Sequence, residues 1–143
     1  SITYGQGAGE SPEDVASAAY PAVLQRLLGA GHTVGTFGAP GHTLRPDGPR
    51  PYASSKAFAE GLAFQPEIAV VMLGTNDSYR DEEGGDWGAP VAARVGSLVA
   101  ELRESNPDLR VLLASPPAIF GSHSACCSAL PPSCSALAAI RAV

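Results

Sequence analysis

Three short polar segments of this chain carry residue types that acyl-transfer chemistry requires. They are Ser1-Ile2-Thr3-Tyr4-Gly5, Phe37-Gly38-Ala39-Pro40-Gly41-His42-Thr43 and Gly74-Thr75-Asn76-Asp77. A serine hydroxyl supplies a nucleophile once a base takes its proton. Gly41 would let a backbone N–H approach a developing oxyanion closely, since no Cβ intervenes. The Asn76 amide would add a side-chain donor to the same charge. Asp77 is expected to buttress its turn, and His42 to line the pocket beside Gly41.

The elements around these segments must bring them together. Gly74–Asp77 follows the apolar run Ile68–Leu73, which reads as a buried strand, and Gly38–Pro51 is a Gly/Pro-rich loop after a strand at Thr33–Phe37. In a parallel sheet the loops that follow strands share one edge, where ligands gather.

Ser11-Pro12-Glu13-Asp14 has helix-start signals, with Tyr20-Pro21 as a possible restart. The restarted helix would carry Val23, Leu24, Leu27 and Leu28 as its stripe and stop at Gly29. Further helices are expected at Ser54–Phe64 and at about Ala89 to Glu104, the latter burying Val91, Val95, Leu98, Val99 and Leu102. Arg110–Ala114 is the next strand, ending at Ser115-Pro116-Pro117, and the Ala-rich tail from Ser135 is expected to start a helix. Strand and helix alternate and the strands are continuous apolar runs, so the expectation is an α/β domain with a parallel sheet covered on both faces.

Bulk properties narrow the function classes. The length of 143 residues fits one domain, residues 1–143, or part of one. Hydrophobic residues at 45% against 16% charged imply a packed core rather than a disordered segment. A net charge of -5 with a single lysine argues against nucleic acid, whose phosphates need clustered cations. No apolar stretch approaches the roughly 20 residues of a membrane span. Cys126, Cys127 and Cys134 lack zinc-ligand spacing and read as incidental. The acids Asp81, Glu82, Glu83 and Asp86 lack the ligand spacing of an oxygen cage and read as a solvated loop, so no metal is expected. Gly5-Gln6-Gly7-Ala8-Gly9 lacks dinucleotide-loop spacing, so no cofactor is expected either.

Taken in order, the three segments resemble the blocks of GDSL-type SGNH hydrolases, in particular the carbohydrate-esterase and sialate O-acetylesterase-like members. Ser1–Gly5 resembles the first block, GDSITxG, without its Gly-Asp. Phe37–Leu44 resembles the second block, NFGxSGxTL, and Leu73–Ser78 the third. Tyr20–Leu24, Arg50-Pro51-Tyr52 and Ala63–Ile68 are similar to connecting segments of such relatives, so the resemblance runs from Ser1 to about Gly121. It implies a flavodoxin-like three-layer α/β/α sandwich, incomplete here at both ends. It also implies Ser1 as acyl-accepting nucleophile, with Gly41 and Asn76 in the oxyanion hole. The implied partner is a small or carbohydrate ester, an acetylated sugar above all, and a secreted or extracytoplasmic setting is slightly favoured.

Two departures are mild: Thr36 stands where Asn is usual, and Pro40 where a small polar residue is usual. A larger one is the family's last block, an Asp three residues before the general-base His. His32, His42 and His123 are preceded at that distance by Gly29, Ala39 and Phe120. The resemblance therefore implies an internal piece of a longer hydrolase, inactive as it stands, with the base beyond Val143. The alternative, because no general-base His is present, is a catalytically inactive remnant or a non-enzymatic binding module.

Overall fold

In the computed structural model, residues 2–5, 11–48, 50–78, 88–115 and 137–142 are described. The chain forms α1 (Pro12–Ala18), α2 (Tyr20–Leu28), β1 (His32–Thr36), α3 (Lys56–Ala63), β2 (Ile68–Val71), α4 (Thr75–Ser78), α5 (Gly88–Ser105), β3 (Arg110–Leu113) and β4 (Leu137–Ala142). Their order in the sheet is β1-β4-β2-β3.

Local chemistry accounts for most boundaries. Ser11 caps α1 through a reciprocal box: its Oγ accepts from Asp14 N at 3.1 Å while Ser11 N donates to Asp14 Oδ2 at 3.2 Å. Extended backbone at Ala19 (ψ 138°) separates α1 from α2, so Tyr20-Pro21 does begin a new helix. Ser55 caps α3, accepting from Phe58 N at 3.1 Å, which moves that helix start past Ser54.

One contiguous core joins Phe58 of α3, Ala69 and Val71 of β2, and Leu98 and Leu102 of α5, with Leu44, Tyr52, Leu73 and Leu109 around them. Tyr52 and Phe58 meet edge-on with ring centroids 5.6 Å apart. The expected stripe of α5 is thus buried at Leu98 and Leu102, with Val95 packed at the margin. The α2 stripe needs a correction: Leu27 is 79% exposed.

The residue that ties α2 to the sheet is Gln25, whose Nε2 donates to His32 O at 2.9 Å and whose Oε1 accepts from Val34 N at 2.7 Å. It satisfies peptide groups of β1 on the side away from β4, as a neighbouring strand would.

The sheet itself corrects two expectations. β2 and β3 are parallel, pairing Ile68 with Arg110 and Val71 with Leu113. β4, however, lies between β1 and β2 and runs antiparallel to both, with Ile140 opposite Val34 and Ile68. The sheet is therefore mixed, and the tail expected to be helical is a strand. Ala-rich composition favours helix only weakly, and six residues cannot sustain one alone. The gap between β1 and β2 offers backbone partners on both sides, and that tertiary gain decides the conformation. Leu112 and Leu113, neighbours on opposite faces of β3, are 56% and 65% exposed, so coverage of both sheet faces is not complete among the described residues. Among those residues no helix is long and apolar enough to cross a membrane.

Candidate active site

The loop after β1 is the hub. Phe37 O accepts the Tyr52 hydroxyl at 2.7 Å, and Tyr52 N donates to Thr43 O at 2.8 Å, fastening both ends of the loop to one buried tyrosine. Burial, with Tyr20 nearby, pushes the Tyr52 phenol far above its ordinary range, so it stays a neutral donor. Between these anchors the chain turns tightly at Ala39–His42, where His42 N donates to Ala39 O at 3.3 Å. Gly41 has φ +75°, a left-handed conformation that glycine adopts without strain.

The first segment abuts this loop. Ile2–Gly5 forms a turn closed by Gly5 N donating to Ile2 O at 2.9 Å. It lies on Gly38 so closely that a Cβ there would stand 2.9 Å from Tyr4 N and 3.3 Å from Thr3 Cβ. Thr3 is fully buried and its Oγ1 donates to the Tyr20 hydroxyl at 3.2 Å. Burial raises the Tyr20 pKa, an effect that the Thr3 hydrogen bond partly offsets. Removing that hydroxyl strands a buried donor, so Tyr20→Phe is expected to cost about 1 kcal/mol, read from the shift in denaturant midpoint. Ser1 itself lies outside the described residues.

The third segment is joined to the same loop from the other side. Gly74 leaves β2 and α4 begins at Thr75, with Asp77 N donating to Gly74 O at 3.0 Å. Asn76 Nδ2 donates to His42 O at 2.8 Å. Asp77 is 4% exposed; its Oδ2 accepts from Leu44 N at 2.9 Å and its Oδ1 from Arg45 N at 3.0 Å. Asp77 thus braces the loop after β1 rather than only its own turn.

Post-strand loops therefore converge: Asn76 meets the backbone carbonyl of His42, the residue after Gly41, and the turn that follows Ser1 packs on Gly38. His42 is half-buried, and with Nδ1 protonated it donates to Pro40 O at 3.1 Å, leaving Nε2 as its acceptor. His123, the three cysteines and the acids Asp81–Asp86 lie outside the described residues. Among the described residues no three His, Cys, Asp or Glu side chains gather as a metal site would require.

Sequence reasoning passed over three residues that shape this region: Tyr20 under Thr3, Tyr52 under Phe37, and Arg50, whose guanidinium reaches Gly41. All lie in segments quoted for their likeness to esterase relatives, but nothing in local spacing shows what they touch.

The chain is 38% identical over 90 residues to an acetylxylan esterase of Xylanibacter ruminicola, a match covering 63% of this chain and 18% of that protein. The chain therefore spans less than a fifth of the relative's length along the match. No solved structure matches the chain. The model of the GDSL-like lipase/acylhydrolase family matches residues 1–139, and the chain belongs to that family.

Proposed function

We propose that this chain carries the serine and oxyanion donors of a hydrolase that removes acyl groups, by preference acetyl, from carbohydrate esters. In this reading the Ser1 Oγ attacks the ester carbonyl while a general base takes its proton. The carbonyl oxygen becomes an oxyanion that accepts from the backbone N–H of Ser1 and Gly41 and from Asn76 Nδ2. The sugar alcohol leaves, and water then releases acetate from the serine ester. Collapse of the second tetrahedral intermediate restores the hydroxyl. The base is assigned to none of the three histidines.

The observation that carries the reading is the Asn76 to His42 hydrogen bond at 2.8 Å. An amide nitrogen has two N–H groups. With one directed to His42 O, the amide is held on the loop that carries Gly41, and its second N–H is the proposed donor to the oxyanion. The three-layer arrangement belongs to the same proposal. It is supported by the α/β core and the β2–β3 parallel pair. The acetylated-sugar substrate is supported by the acetylxylan esterase relative.

The nucleophile is tested by exposing the protein, in a form that includes the general base, to a fluorophosphonate and mapping the adduct by peptide mass spectrometry. Modification of Ser1, abolished in Ser1→Ala, is expected. An adduct confined to another serine would reassign the nucleophile, and no adduct at all would count against the serine mechanism.

A further inference from the structure

Tyr4 is an exposed aromatic residue on the turn that follows Ser1. It is 55% exposed, whereas Tyr20, Phe37, Tyr52, Phe58 and Phe64 are buried or half-buried. The core therefore gives no reason for an aromatic residue at this position. A lone exposed tyrosine is ordinary on a protein surface, and it is the mounting of Tyr4 that sets it apart.

The turn beneath Tyr4 is held by three neighbouring elements. Thr3, fully buried, donates to the Tyr20 hydroxyl of α2 at 3.2 Å. Gly5, with φ +87°, lies so close to α1 that a Cβ there would collide with Val15 O. Tyr4 N itself rests on the loop after β1, 2.9 Å from where a Cβ on Gly38 would stand. That loop carries Gly41 and, through His42 O, holds Asn76. Tyr4 thus stands on a fixed turn at the border between the serine segment and the proposed oxyanion loop.

The block pattern GDSITxG leaves one position open, and Tyr4 fills it. Chemistry shared by the block does not dictate that residue type, whereas a choice among substrates can. We infer that Tyr4 is a specificity-determining residue, a platform on which the leaving alcohol lies, and that it selects an alcohol built on a rigid ring over an open-chain one. The face of an aromatic ring carries partial negative charge and attracts the C–H groups of a flat apolar surface. A pyranose with equatorial substituents aligns its axial C–H bonds into such a surface. An open-chain polyol has no fixed face and loses conformational freedom when it lies flat. The fixed turn keeps the ordering cost low on the protein side. The inference rests on the ester-hydrolase reading of this turn and loop, and its test is one of binding, so that it is decided apart from turnover.

The probes are methyl β-glucopyranoside and glucitol, each acetylated on a primary hydroxyl, so that they differ chiefly in the ring. Their dissociation constants are measured by ligand-observed NMR with the 143-residue protein carrying Ser1→Ala, which keeps the esters intact. With Tyr4 in place the glucoside is expected to bind about 5-fold more tightly than the glucitol ester, as one ring-face contact would give. Adding Tyr4→Ala should bring the two together by weakening only the glucoside. Tyr4→Leu, which keeps apolar bulk without a flat face, should do the same, and Tyr4→Phe should keep the difference. Because Tyr4 is exposed, none of these substitutions should move the melting temperature appreciably. Equal binding of the two esters with Tyr4 in place, binding of neither, or a preference that survives Tyr4→Ala or Tyr4→Leu would each overturn the inference. Loss of the preference in Tyr4→Phe would overturn it as well, since the hydroxyl rather than the ring face would then hold the ligand. Failure of fluorophosphonate to modify Ser1 in the form that includes the general base would instead strike the hydrolase reading and leave the binding result standing.

Discussion

In an enzyme that includes the general base, replacing Asn76 with Ala is expected to lower kcat on 4-nitrophenyl acetate by about 100-fold or more, with KM changed little. The magnitude follows from the role proposed for the amide. Losing one preorganised oxyanion donor typically costs about 2.7–4 kcal/mol of transition-state stabilisation, because charge develops there only as the carbonyl is attacked. A contact made only in the transition state falls on kcat, whereas a ground-state binding contact would fall on KM. The structure allows these to be separated from simple loosening of the loop. Asn76 holds that loop through one hydrogen bond to His42 O, but Asp77 holds it through two more, to Leu44 N and Arg45 N. The loop should therefore keep its place when Asn76 is truncated, and the melting temperature should fall by only a few degrees. A loss under threefold in an enzyme of unchanged melting temperature would remove Asn76 from the oxyanion hole.

The parts of this fold that were legible in the sequence are those whose stabilisation is local or strongly periodic. β2 stands out because Ile68–Val71 is an unbroken apolar run, and α5 because Leu98 and Leu102 recur at helical spacing. The cap of α1 follows from Ser11, whereas α3, expected from Ser54, starts only after the Ser55 cap. β4 was not legible, since Leu137–Ala142 has helix-favouring composition and becomes a strand only because β1 and β2 offer it partners.

The candidate site divides in the same way. Gly41 and Asn76 could be named from residue type and order, since a glycine turn and a post-strand amide advertise themselves. What holds them could not, because those bonds join residues far apart in the chain. Tyr52 reaches Phe37 across 15 positions, and Asp77 reaches Leu44 across 33. Arg50 illustrates the point most directly: in the sequence it is one cation in a Pro-rich loop, and only the fold puts its guanidinium against Gly41.

Asp77 carries the largest expected effect on stability. Asp77→Ala should destabilise the protein by about 3 kcal/mol, because two backbone N–H groups lose their acceptor together. The cost is high for a geometric reason. Leu44 is buried in the core cluster, so water cannot replace the carboxylate at its N–H, and Asp77 itself is 4% exposed. For a chain of this size that loss corresponds to a fall of about 10 °C in melting temperature. Asp77→Asn keeps the shape and one acceptor but turns an amide N–H toward a backbone N–H. It should therefore recover less than half of the stability, although it differs from the wild type by a single polar atom. Activity should follow in both variants, since the same carboxylate fixes the loop that presents Gly41 and His42 to Asn76. Thermal melts of the three proteins decide the matter. If Asp77→Asn were as stable as the wild type, one acceptor would suffice and the two-bond brace would carry no energetic weight. If Asp77→Ala cost less than about 0.5 kcal/mol, the loop would be held by Tyr52, Thr43 and Asn76 without it, and the contact of Asn76 with His42 would owe nothing to this residue.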